Sequence, residues 1–149
     1  LAAASAGEDV ALCKIKTPLH AFPPIPLNAD VYRSSGPHGR PVLCVGTSGG
    51  YHAVGPKPLE YEASGAHIYV SNSGGSGMKA GDSGGAWLHT KRNSTTNETH
   101  FVLSGVIHGG EGKGTHKRGV AGQPSHVRAW IDQTTGGTAR WVSVLEDHM

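Results

Sequence analysis

The sequence predicts an all-β fold in which short antiparallel strands close into a barrel, with a short helix near the C-terminus. Three observations carry this. Glycine numbers 23 in 149 residues and aromatics make up only 6%, a composition that suits many short strands and tight turns better than packed helices. Valine-rich bursts recur between clusters of glycine, proline and serine, as short strands bounded by turns require. A single stretch shows strong helical periodicity.

In chain order, the first strand candidate is Glu8-Asp9-Val10-Ala11-Leu12-Cys13-Lys14-Ile15, followed by the proline-rich connection Pro23-Pro24-Ile25-Pro26-Leu27. The bursts lie at Pro41–Val45, His67–Ser71, Gly85–His89, Phe101–Ile107 and Gly119–Ala121. The helix spans His126–Gln133, with Ser125 placed to cap it and Val127, Trp130 and Ile131 on one face. A weaker helical stretch follows Thr138. Alternation or loop context makes His52, His67, His89 and His100 solvent-facing. Cys13 and Cys44 sit in apolar strand contexts, where a free thiol packs as a small hydrophobe, and they lack the C-x-x-C spacing of a metal knuckle.

Formal net charge is +2 with a pI near 8.6. The basic residues cluster only at Lys91-Arg92 and from Lys113 to Arg118, both candidate hairpin tips, which is not the basic stripe with stacking aromatics that a nucleic-acid binder presents. No apolar run approaches the ~20 residues of a membrane helix. Neither nucleic acid nor membrane is therefore an expected partner. Asn93-Ser94-Thr95 and Asn97-Glu98-Thr99 are formal N-glycosylation acceptors.

The chemistry concentrates in Met78-Lys79-Ala80-Gly81-Asp82-Ser83-Gly84-Gly85-Ala86-Trp87-Leu88, one serine inside a glycine-rich turn ahead of an apolar run. Gly81 and Gly84 admit backbone conformations closed to other residues, so the amides of Gly81 and Ser83 can be aimed at a developing oxyanion. The reaction type this suggests is acyl transfer.

Gly81-Asp82-Ser83-Gly84-Gly85 resembles the active-serine signature of the chymotrypsin-like serine proteases. Three further segments fall in that family's order. Glu8 to Ile15 resembles the strand holding the buried catalytic aspartate, with Asp9 in its place and the proline-rich connection after it. Leu103-Ser104-Gly105-Val106-Ile107-His108-Gly109-Gly110 resembles the substrate-pairing strand. Gly122-Gln123-Pro124-Ser125-His126-Val127-Arg128-Ala129-Trp130-Ile131 resembles the last strand and the C-terminal helix.

The resemblance implies a Greek-key barrel over 41–149, an inter-barrel crossover over 18–40, and the last strand of a first barrel over 1–17. It further implies a serine endopeptidase acting on a polypeptide through an acyl-enzyme, with Ser83 as nucleophile, Asp9 as orienting carboxylate, and Gly81 and Ser83 as oxyanion donors. Gly77, Met78, Ile107, His108, Gly109 and Gly110 would line the specificity pocket. No metal or other cofactor is implied.

The family's general-base histidine precedes the aspartate, yet Leu1 to Glu8 contain none. The expectation is that a preceding segment or a separate chain supplies it, since a serine hydroxyl is a poor nucleophile until an imidazole takes its proton. Asp82 either pairs with a freed amino terminus, as in activated relatives, or bonds local turn amides. His108 resembles the pocket histidine of proteases that cut after glutamate or glutamine, displaced by one residue; alternation would then turn its ring to the other face. No aspartate stands where relatives selective for arginine or lysine hold one, although Glu111 could charge the pocket rim. Such a protease is either secreted or a viral polyprotein protease in a host cell. The competing readings are a catalytically inactive protease-like domain that binds peptides or a protein partner, and a carbohydrate-binding or structural barrel.

Overall fold

The computed structural model describes residues 2–3, 9–32, 36–50, 52–61, 66–71, 78–111 and 118–144, and its secondary structure is mostly β. Among the described residues ten strands form in chain order: β1 (Ala2–Ala3), β2 (Ala11–Leu12), β3 (Leu27–Asn28), β4 (Gly36–Gly46), β5 (His52–Tyr61), β6 (His67–Ser71), β7 (Ala86–Asn93), β8 (Glu98–Glu111), β9 (Arg118–Gly122) and β10 (Trp141–Val142). One short helix, α1 (Arg128–Thr135), follows a 3₁₀ turn over Pro124–Val127.

Six of these strands pair in a cycle. β4 pairs with β5, β5 with β6, β6 with β9, β9 with β8, β8 with β7, and β7 back with β4, every pairing antiparallel. The cycle leaves none of the six with an unpartnered side along its whole length, which removes the usual liability of open sheet edges. Inside it the valine-rich bursts supply the apolar cluster Val42, Cys44, Ile68, Val70, Trp87, Ile107 and Ala121, with Tyr32 at one end and Met78 packed partly buried against it. Removing such side chains from water stabilises the fold by about 1.5–3 kcal/mol each.

The proline-rich segment expected as a crossover, a name it keeps for its position alone, joins this body through β3, which pairs in parallel with β8 at Leu27 and Leu103 and carries β10 in parallel on its other side. The sheet as a whole is thus mixed. β1 and β2 pair antiparallel in a separate two-stranded sheet.

The bursts at Pro41–Val45, Phe101–Ile107 and Gly119–Ala121 fall within β4, β8 and β9, and His67–Ser71 is β6 end to end, whereas the burst at Gly85–His89 is strand only from Ala86, Gly85 standing just before β7. Several expectations are corrected. β5 is absent from the strands expected; pairing to both β4 and β6 holds it extended. Ser125 does not cap a helix: Pro124 starts a 3₁₀ turn that contains Ser125, and α1 begins at Arg128 with no side-chain cap. The stretch after Thr138 is extended as β10, since tertiary bonds outweigh helix propensity there. The Trp141 indole donates to Asp132 at 2.8 Å and stacks under Arg128, while Leu27 N donates to Arg140 O at 2.8 Å. Cys13 is exposed rather than buried, because the chain leaves β2 just before it; Cys44 is buried as expected.

His89 was expected in solvent and is only 1% exposed. A register shift between Trp87 and Leu88 interrupts the two-residue alternation, so Trp87, Leu88 and His89 are all buried. The crossover covers His89. Its Nδ1 lies 2.5 Å from Ser104 Oγ, which also accepts from Asn28 Nδ2 at 3.0 Å. Asn28 donates again to Tyr32 Oη, and the Tyr32 ring meets the His89 ring edge-on. Gln123 clamps the Tyr32 backbone from both sides, accepting from its N–H and donating to its carbonyl. Buried polar groups must be bonded to be tolerated, and here the bonds lock the crossover onto the six-stranded body. No helix of the described residues is long and apolar enough to cross a membrane.

Candidate active site

The serine-bearing loop runs between residue 78 and the start of β7. Gly81 and Gly84 adopt φ of +96° and +86°, the left-handed region where a β-carbon is strained. Asp82 sits beneath them, 2% exposed. Its Oδ2 accepts the Lys79 amide at 2.7 Å and its Oδ1 the Ser48 amide at 2.9 Å, while the Ser48 hydroxyl returns to the Ala80 carbonyl at 2.7 Å. Charge-assisted bonds of this kind are among the stronger ones in proteins. Asp82 therefore bonds a local turn amide, as one of the two expectations held, and also stitches the loop to the β4–β5 turn 34 positions away. Gly46 makes this possible, because a β-carbon there would stand 2.3 Å from Asp82 Oδ1. Sequence reasoning missed both Gly46 and Ser48. The turn cluster Gly46-Thr47-Ser48-Gly49-Gly50 was the available signal, but nothing in it names Asp82 as partner.

The loop is anchored on its other side to β8. Gly84 N donates to Ile107 O at 2.8 Å, and Ile107 N donates to Gly85 O at 2.9 Å. Gly85 is required at this point, since a β-carbon would lie 2.3 Å from the Val45 carbonyl. Between these anchors Ser83 is exposed, and its hydroxyl donates to the backbone carbonyl of His108 at 3.1 Å. Among the described residues, neither the Gly81 nor the Ser83 amide donates to a backbone acceptor.

His108 occupies an irregular position in β8. Ile107 pairs with Ala121 and Gly109 with Val120, so His108 is the extra residue of a bulge. Bulges re-aim side chains and gather next to active sites. Ile107 points into the core at 2% exposure, whereas the His108 ring is half exposed and its Nδ1 bonds Oδ2 of Asp9. The His67 ring stands beside it, 5.9 Å between centroids and tilted by 35°.

Asp9 itself takes a left-handed φ of +50° just ahead of β2, a conformation in which aspartate is tolerated better than most residues. Its side chain is 53% exposed, where the resemblance implied a buried carboxylate within a strand. The reason is coverage: His108 is its hydrogen-bond partner among the described residues, and its second oxygen, Oδ1, carries none.

The sequence candidates thus separate as follows. Ser83, Asp9, His108, Gly81 and Ile107 meet around the loop and the bulge, with Gly109 and Gly110 continuing β8 beyond it. Met78 packs against the core. Gly77 lies outside the described residues, as does the Lys113 end of the second basic cluster. Of the first basic pair, Lys91 reaches the Ser143 carbonyl at 2.6 Å and Arg92 bonds Asn97 Oδ1. The hairpin tip beyond carries both glycosylation acceptors; Asn93 Oδ1 accepts the Thr95 amide at 2.9 Å, and Asn97 is exposed in a left-handed conformation. Among the described residues, no three His, Cys, Asp or Glu side chains converge as a metal site would require.

No protein-family model matches the chain, and no curated protein matches it significantly.

Proposed function

We propose that this chain carries the nucleophile and the orienting carboxylate of a serine endopeptidase with a chymotrypsin-like Greek-key barrel, the general-base histidine coming from a preceding segment or a separate chain. One observation carries the reading. Ser83 and Asp9, 74 positions apart (83 minus 9), bond the same residue, one at the carbonyl of His108 and the other at its ring. A hydroxyl in a glycine turn and a carboxylate brought to one exposed spot are two of the three groups that acyl transfer needs. The cyclic strand order β4-β5-β6-β9-β8-β7 supports the barrel assignment, since two consecutive hairpin pairings followed by a jump to a later strand are what a Greek key produces.

In this mechanism the Ser83 hydroxyl leaves the His108 carbonyl and passes its proton to the incoming imidazole as Oγ attacks a peptide carbonyl. The amides of Gly81 and Ser83 receive the oxyanion, the amine leaves with the proton that the imidazole carried, and water then releases the acyl group. Asp9 stabilises the imidazolium through its open oxygen. Beyond Ile107 the side of β8 facing away from β9 is not covered by β7, whose pairing stops at Val106, so an extended substrate can add there as a further strand. Specificity rests on what fills the space near Gly109 and Gly110.

The test is cleavage of a complex peptide mixture by the natural full-length protein, read by mass spectrometry, beside its Ser83→Ala variant. New termini that vanish in the variant are the expected result. Peptides that bind both proteins equally and emerge uncut would instead establish the inactive, peptide-binding domain.

A further inference from the structure

His108 was nominated from sequence as a pocket residue, yet its ring does something else. The bulge at this position turns the imidazole to the Asp9 carboxylate. A carboxylate only accepts, so the bonded Nδ1 carries the hydrogen. The contact uses Oδ2 and leaves Oδ1 without a partner among the described residues. The same residue's carbonyl holds the Ser83 hydroxyl, and the His67 ring lies against the imidazole. A half-exposed aspartate in a left-handed turn has few other restraints on where its carboxylate points.

We propose that His108 is a positioning residue. By holding Oδ2 of Asp9 it keeps Oδ1 turned toward the histidine that serves Ser83, and the bulge in β8 exists to aim it there. The inference rests on the reading of Ser83 as nucleophile and Asp9 as orienting carboxylate, and it removes His108 from the specificity pocket. Its ring acts on the rate of the chemical step through Asp9 and makes no contact with substrate. Misplacing a catalytic group by about 1 Å costs on the order of 10²-fold in rate, which sets the scale.

The experiment is the kinetics of a fluorophosphonate on the natural full-length protein, separating the inactivation rate constant kinact from the binding constant KI. For His108→Ala, kinact is expected to fall about 10- to 100-fold with KI unchanged. His108→Gln keeps a donor and should recover most of the loss. Because His108 acts through Asp9, adding His108→Ala to Asp9→Ala should slow labelling no further. Long-range proton–nitrogen spectra of the wild-type protein give a readout independent of activity: neutral His108 is expected as the Nδ1–H tautomer, lost on Asp9→Ala. The proposal is overturned if His108→Ala labels at the wild-type rate, if only KI moves as for a pocket residue, if the two losses multiply, or if the ring is the Nε2–H tautomer. Failure of the wild-type protein to label at Ser83 overturns the nucleophile reading and this one with it.

Discussion

Two regions of this molecule bring a serine, a histidine and a third polar side chain together, and they differ in almost every other respect. In the crossover seam His89 bonds Ser104 directly, Asn28 completes the set, and all three are at most 2% exposed. At the loop, Ser83 and Asp9 are exposed, and His108 bonds the aspartate with its ring and accepts from the serine only at its backbone carbonyl. By local geometry alone the buried group looks more like a nucleophile and its base. Water and substrate cannot reach it, and every bond it makes ties β3 and Tyr32 to the six-stranded body. Serine–histidine contact is therefore no sign of catalysis by itself. Access, and an acid or base left with an open valence, distinguish the two.

The comparison breaks most visibly at Ser83. Replacing it by alanine should remove peptide cleavage, a loss on the order of 10⁶ in rate, while thermal unfolding stays within about 0.5 kcal/mol of wild type, since the side chain is exposed and packs nothing. The one bond lost, to the His108 carbonyl, is exposed, and cleavage and calorimetry on one preparation check both halves. His89→Ala should do the reverse. It empties a buried site and orphans the Ser104 and Asn28 groups, costing about 3 kcal/mol and lowering the melting temperature by roughly 10 °C for a chain of this size, while the rate per folded molecule is kept.

Asp82→Asn should fall between them. An amide cannot accept from both the Lys79 and Ser48 N–H groups, so about 2 kcal/mol of stability is expected to go together with part of the activity, because the same carboxylate shapes the serine loop. Urea titration and cleavage rate report the two losses. His108→Ala, like Ser83→Ala, should change stability little. Exposed ion pairs and hydrogen bonds are worth about 0–1 kcal/mol, so its melting temperature should barely move even where labelling slows.

What the sequence made legible follows the same division. Valine-rich runs between turn residues mark strands because a buried pleated face needs them, and the glycine-serine loop is readable because positive φ needs Gly81 and Gly84. Asp9 and Ser83 could be nominated one at a time. Their meeting at His108 could not, since the bulge that aims the ring arises from pairing between β8 and β9 rather than from any local motif. His89 was misjudged for a related reason: its burial depends on a register shift and on Asn28 and Tyr32, which lie more than 50 positions away. The strand β5 is held by its pairing to β4 and β6 rather than by a local signal, and β10 is hidden by a helical look that the Trp141–Asp132 bond overrides.

The central claim is that the exposed serine, and not the buried one, is the nucleophile. The most direct measurement is to treat the native full-length protein with a fluorophosphonate and map the adduct by peptide mass spectrometry. A single phosphonyl group on Ser83, with Ser104 untouched, is the predicted result. An adduct on Ser104, or none on Ser83 under native conditions, would contradict the account.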